Sequence, residues 1–192
     1  MMDSLEATRL IHRHAGTATV IPTMTALRLW WALGFRHDRD FPLLGCMGKA
    51  SSVGLGLALA QPHHRVIVLD GDGSLLMNLG TLATVAHMAP PNLYHFVYQD
   101  GAYTTTGGQP IPGAATVRFA DMALAAGYRA AYDFSDLEAF AGEIGRILSQ
   151  PGPVLVCLRV WHPPSLPPLP IGQVRTRDAL RRVRGTLTGL PA

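Results

Sequence analysis

Residues 65–110 read RVIVLDGDGSLLMNLGTLATVAHMAPPNLYHFVYQDGAYTTTGGQP, and this stretch decides the fold. RVIVLD is a short run of branched apolar residues, as in a strand buried on both faces. It passes directly into Gly71-Asp72-Gly73-Ser74, and Leu75, Leu76, Leu79, Leu82 and Val85 then recur as on one face of a helix over Leu75–Met88. A second strand pattern, LYHFVY, ends in Gln99-Asp100-Gly101-Ala102-Tyr103. Two aspartates are thereby expected just past the carboxyl ends of two strands. Glycine permits a sharp turn and a close backbone approach to a ligand. Ser74 is expected to cap the helix, whose first turn offers free N–H groups and the positive end of the peptide dipoles. This is the chemistry of a site for a diphosphate and a hard cation. Mg²⁺ takes oxygen ligands in an octahedron and is held by few carboxylates together with phosphate oxygens. Asp72, Asp100 and a carbonyl near Ala102 supply the protein's share, and the hydroxyl- and glycine-rich Thr104–Gly108 follows as a loop suited to phosphate.

Outward from this core the same alternation continues. Further strand patterns lie at Ala18–Ile21, Phe41–Leu44 and Val154–Val160, beside Val66–Leu69 and Leu93–Tyr98. Helical patterns lie at Met24–Leu33, Ala50–Ala60, Met122–Ala126 and Asp136–Leu148, and the N-terminal MMDSLEATRLIHRH is polar and helical in pattern. The expectation is a single α/β domain over 1–192, a parallel sheet with helices on both faces and ligands at the carboxyl ends of its strands. Pro163, Pro164, Pro167, Pro168 and Pro170 make Trp161–Pro170 an extended connector, and a last helix is expected over Val174–Thr186.

Composition narrows the class. With 48% hydrophobic and 15% charged residues the chain is too apolar for disorder, and some apolar surface is expected to meet another protein. The net charge of +3 is concentrated late, in Arg175, Arg177, Arg181, Arg182 and Arg184. No aromatics are interleaved with them, so a solvated helix face is expected rather than a nucleic-acid surface. Cys46 and Cys157 have no metal-ligand or redox spacing, and no apolar run approaches the roughly 18 residues that span a bilayer. The expectation is a reduced, cytoplasmic protein without membrane or nucleic-acid partners.

The motif pair GDGS and QDGAY, in this order and spacing, resembles the thiamine diphosphate (TPP) binding motif of TPP-dependent enzymes. There the second element is usually Asn-Asn; here it is Gln99-Asp100. The resemblance implies that Asp72, Asp100 and the Ala102 carbonyl hold Mg²⁺, with Gly71, Gly73 and Ser74 at the diphosphate and Tyr103, Thr104 and Thr105 at diphosphate or substrate. Gly45-Cys46-Met47-Gly48 is similar to the family's G-S-M-G element. It implies that Gly45 and Met47 bind the aminopyrimidine, with Met47 wedging the cofactor into a bent shape. Pro22–Thr25 falls where the family often has Thr-Gly-Thr, which makes Thr23 and Thr25 further candidates. Between Val20 and Val160 the chain most resembles the C-terminal domain of phosphonopyruvate decarboxylases and the β-subunit of sulfopyruvate decarboxylases. That implies decarboxylation of a small 2-oxoacid, with CO₂ loss leaving an enamine that is then protonated.

Enzymes of this kind also need a glutamate against the cofactor pyrimidine, supplied by a separate pyrimidine-binding domain. The glutamates here, Glu6, Glu138 and Glu143, lie in helical patterns outside any glycine-rich motif. The activating residue is therefore expected on a partner α-subunit, in an α₂β₂ or larger assembly, and no catalytic residue is assigned on this chain. Alternatives are an acyloin or acetolactate-type carboligase subunit and a non-catalytic TPP-binding scaffold subunit. A dinucleotide-binding module is disfavoured because neither a G-x-G-x-x-G nor a P-loop pattern is present. His162 follows the last strand, and the sequence attaches no role to it.

Overall fold

The computed structural model describes residues 1–173 and 175–189. Among these residues six strands form one parallel sheet: β1 (Met2–Asp3), β2 (Thr19–Pro22), β3 (Val66–Gly71), β4 (Leu93–Gln99), β5 (Ala130–Phe134) and β6 (Val154–Trp161). The order runs β2-β3-β4-β6; beyond β6, β5 pairs with residues 154–158 and β1 with residues 160–161. Among the described residues eight helices surround it: α1 (Ser4–His14), α2 (Met24–Ala32), α3 (Ala50–Ala60), α4 (Asp72–Leu76), α5 (Thr81–Met88), α6 (Phe119–Ala126), α7 (Leu137–Ser149) and α8 (Thr176–Thr188).

Strand residues alternate between two cores, as the pleat requires. Ile67, Leu69, Phe96, Val156 and Leu158 face α1, α2 and α7, through Ile11, Trp30, Phe140 and Ile144. Val66, Val68, Val97, Leu155 and Cys157 face the helices of the other side, through Ala58, Leu75, Val85 and Phe119. Each fully buried aliphatic side chain contributes about 1.5–3 kcal/mol to this packing. The expected α/β architecture, with helices on both faces, is the one observed.

Some expected elements differ. Phe41–Leu44 is no strand: Phe41 and Leu43 donate to the carbonyls of Val20 and Pro22, but only Leu43 forms a bridge, to Thr23. Pro42 offers no N–H on the side away from β2, so the segment stays at the edge of the sheet. The single helix over Leu75–Met88 is two, α4 and α5, broken across residues 77–80. Gly80 disfavours helix there, and the Asn78 amide donates to the Gly48 carbonyl (3.0 Å) instead of facing solvent. Ser74 does not cap: the helix starts at Asp72 after extended Gly71, and Ser74 Oγ accepts from the Gly48 N–H (3.0 Å). Two strands were not expected. β5 is a partly exposed strand in which Asp133 pairs with Arg159 of β6, so its apolar pattern is broken. β1 has only two residues, too few for any periodicity.

Residues 162–170 form no helix or strand, whereas Trp161, placed in the connector by sequence, ends β6. α8 begins at Thr176; Val174, the expected first residue, lies outside the described residues. No helix among the described residues is long and apolar enough to cross a membrane.

Candidate functional site

β3, β4 and β6 are neighbours in the sheet, and the residue immediately past the carboxyl end of each is Asp72, Asp100 and His162. All three line one pocket. Its floor is the β3–α4 turn, one wall is the loop after β4, and the start of α2 and the 45–48 turn close it.

Asp72 is buried and held by backbone. One carboxylate oxygen accepts the N–H of Gly73 (2.7 Å) and the other accepts that of Gly101 (2.8 Å). Gly101 adopts φ +80°, where glycine is favoured, and this orientation aims its amide at Asp72. The two glycines of the GDG turn serve different ends. A Cβ on Gly73 would lie 2.6 Å from the Tyr103 ring, so Gly73 lets Tyr103 pack on the turn. Gly71 has an ordinary φ of −103°, and a Cβ there would meet nothing within 4 Å. Neither strain nor a neighbouring side chain accounts for this glycine, and it lines the pocket.

Asp100 is held by side chains. Thr104 Oγ1 donates to Oδ2, and His162 Nε2 lies 3.2 Å from the same oxygen, while the Ala102 N–H approaches Oδ1 at 3.4 Å. The other ring nitrogen of His162 lies 2.8 Å from Ser4 Oγ. The two carboxylates shift in opposite senses. Burial drives the Asp72 carboxyl up to about 7, opposed by the Gly101 and Gly73 amides and reinforced by the negative charge of Asp100. Burial also acts to raise Asp100, but the hydrogen bonds from His162 and Thr104 outweigh it and hold this carboxyl below its ordinary value. Two adjacent carboxylates, one buried and one partly buried, the former retaining a proton near neutrality, form a donor set in which a divalent cation can take the place of that proton.

Most of the residues singled out from sequence meet here. Besides Asp72, Asp100 and Ala102, the pocket is lined by Thr25, Met47, Gly71, Gly73, Ser74, Tyr103, Thr104 and Thr105. Thr25 and Thr105 share a 2.8 Å hydroxyl contact that joins the start of α2 to the loop after β4. Met47 reaches the pocket because Gly48, at φ +75°, docks on Ser74 and Asn78. Thr23 and Gly45 do not line it. The Thr23 side chain is fully buried, with its hydroxyl donating to the Leu43 carbonyl (2.9 Å), so it is committed to the fold. Gly45, at φ +73°, lies in the turn that carries Met47. Gln99 turns away: its amide donates to the Val117 carbonyl, and its carbonyl accepts from the Cys157 thiol (3.0 Å), whose pKa burial pushes up to about 12.

Sequence reasoning missed four lining residues: Met24, Ala26, Tyr98 and His162. Met24 has φ +47°, uncommon for a residue with a side chain. The Tyr98 hydroxyl lies 2.8 Å from Thr8 Oγ1. Position just past a strand end was the signal available for His162, the same signal that singled out Asp100. Neither the glutamates nor the late arginines line the pocket. Thr186 and Leu187 of α8 line a separate hollow with Thr19 and His64, beside the amino-terminal ends of β2 and β3.

Several known proteins are similar to this chain. Residues 21–158 match the family described as thiamine pyrophosphate enzyme, C-terminal TPP binding domain. Phosphonopyruvate decarboxylase of Streptomyces viridochromogenes is 42% identical over 156 residues, covering 81% of this chain and 38% of that protein. Sulfopyruvate decarboxylase subunit beta of Methanothermobacter thermautotrophicus is 58% identical over 71 residues, 37% of this chain and 38% of that one. The chain thus spans well under half the length of these relatives. A thiamine diphosphate-dependent 4-hydroxybenzoylformate decarboxylase of Rhodococcus jostii RHA1 superposes with a TM-score of 0.71 at 20% identity, over 85% of this chain and 33% of that one, a likeness of fold.

Proposed function

The chain belongs to the thiamine pyrophosphate enzyme family, as its C-terminal TPP-binding domain, and from that premise we propose that it is the TPP- and Mg²⁺-binding part of a decarboxylase for a small 2-oxoacid of the phosphonopyruvate or sulfopyruvate type. The observation that carries the reading is the pocket at the ends of β3 and β4, where Asp72 and Asp100 converge beside a glycine whose missing side chain leaves room. The residues fit the absent groups. Asp72, Asp100 and the Ala102 carbonyl are hard oxygen donors suited to a cation that also takes diphosphate oxygens. Gly71, Gly73 and Ser74 are the neighbours of that diphosphate, and Met47 and Gly45 those of the pyrimidine. TPP, when bound, supplies the electron sink for loss of CO₂. This chain's part is to orient it: Asp72 is fixed by two backbone amides before any ligand arrives, and Tyr103 packs on Gly73 to shield the turn from water.

The glutamate that activates the cofactor is proposed to come from a pyrimidine-binding partner. Glu6 and Glu143 are tied to Arg9 and Arg146 in exposed pairs, and Glu138 is exposed, so none is available to the pocket. A relative named as a subunit beta supports a two-component enzyme. The test is to mix the chain with its co-encoded candidate partner, TPP and Mg²⁺, and to follow CO₂ and aldehyde release from phosphonopyruvate and sulfopyruvate. Turnover only in the mixture is expected. Turnover by this chain alone would remove the partner from the proposal. If neither 2-oxoacid lost CO₂ in the complete mixture, the decarboxylase reading would fall.

A further inference from the structure

We infer that His162 is a positioning residue that, with Thr104, restricts Asp100 to a single cation-facing oxygen and so favours Mg²⁺ over larger divalent cations. The inference rests on the reading that this pocket takes TPP with Mg²⁺. The family's usual residue at this position is Asn, whose amide has one oxygen to give; Asp100 has two, and a negative charge. In the structure one of the two is already engaged. Oδ2 accepts from Thr104 Oγ1 and stands 3.2 Å from His162 Nε2, which must carry a proton because a carboxylate only accepts. Oδ1 accepts the long contact from the Ala102 N–H, and the carboxylate stands beside that of Asp72. Asp100 therefore presents one oxygen, in the manner of the amide it replaces.

The ring is fixed from behind. Val160 and Trp161 pair with Met2 and Asp3, and Asp3 caps α1 by accepting the N–H groups of Leu5 and Glu6. This short strand sets fully buried Ser4 against His162 Nδ1 (2.8 Å). The ring and Asp100 are themselves only 10% and 12% exposed, so water competes little for the contact. A carboxylate limited to one oxygen suits the small octahedral Mg²⁺, whereas Ca²⁺ accepts a carboxylate through both oxygens and tolerates irregular geometry. Groups that orient a metal ligand in this way change metal affinity by about 10–100-fold.

The test is a cycle of His162→Ala and Asp100→Asn in the full chain. Calorimetry reads the Mg²⁺ and the Ca²⁺ concentrations that half-saturate TPP binding, with thermal denaturation as the folding control. His162→Ala should shift the Mg²⁺-to-Ca²⁺ preference about tenfold toward Ca²⁺ when residue 100 is Asp. It should leave the preference unchanged in the Asp100→Asn background, because an amide has no second carboxylate oxygen to release. Ser4→Ala, the milder variant, should move it in the same direction by less. An equal shift in both backgrounds, or none in either, overturns the role of His162 while leaving the TPP site standing. Wild-type chain that binds no TPP with any cation overturns the site and this inference together.

Discussion

The two carboxylates at the centre of the pocket are held by different means. Asp72 is gripped by the main chain, through the amides of Gly73 and Gly101, so its placement is written into glycine-rich turns. Asp100 is gripped by Thr104 and His162, the latter 62 positions away in the chain and itself set by Ser4 near the N-terminus. The first arrangement needs only the pairing of β3 with β4 and is set before ligand binds; the second depends on three strands and one helix meeting correctly. The contrast extends to charge: burial pushes Asp72 up, while donors hold Asp100 down.

The largest effect should come from Asp72→Asn. It removes a buried charged ligand worth roughly 3 kcal/mol and should weaken Mg²⁺-dependent TPP binding about a hundredfold in calorimetry. Binding within a fewfold of wild type would mean that Asp100 alone carries the cation. Next come the two glycines of the same turn. Gly73→Ala drives a methyl into the Tyr103 ring and should cost about 1–3 kcal/mol in the ligand-free protein, seen as a lower Tm. Gly71→Ala meets no neighbour and should raise ligand-free stability by about 0.4–1 kcal/mol while weakening TPP binding. Unchanged TPP affinity in Gly71→Ala would show that the space beside Gly71 is not the diphosphate cradle.

The opposite shifts also set a dependence on pH. With its folded carboxyl raised from 3.8 to about 7, Asp72 keeps a proton that the unfolded chain has lost. Stability of the ligand-free protein should therefore fall as pH rises from about 4 to about 7, and Mg²⁺ with TPP should abolish the fall by replacing that proton. Asp100 works the other way: its stabilisation is present above the ordinary carboxyl range and is lost as pH falls below it. Tm measured across pH 4–8 on wild type and Asp72→Asn checks the Asp72 limb, and a wild-type curve that matches the Asp72→Asn curve would refute its assignment; extending the scan below pH 4 on wild type and Asp100→Asn checks the other.

What the sequence made legible follows the same division. β3, β4 and β6 were readable because both faces are buried and their apolar runs are unbroken, and the Gly-Asp turns after β3 and β4 were readable because glycine marks sharp turns. The Asp72 arm of the site was thus legible from two glycine-marked turns, each read where it stands in the sequence. β1 was not, since a two-residue strand has no periodicity, and β5 was masked by Asp133 in its edge pairing with Arg159. Without β1 nothing in the sequence brings Ser4 to His162, so the support of Asp100 was invisible. The break between α4 and α5 was hidden for a related reason: Leu75, Leu82 and Val85 keep helical spacing across it, and only the contact of Asn78 with Gly48 reveals the turn.

The most direct test of the account is TPP binding by calorimetry, with and without Mg²⁺, on the full chain alone and mixed with its candidate pyrimidine-domain partner. The account predicts binding that requires Mg²⁺ and tightens sharply in the mixture. Failure to bind TPP in either sample, or binding indifferent to Mg²⁺, would contradict the site formed by Asp72 and Asp100.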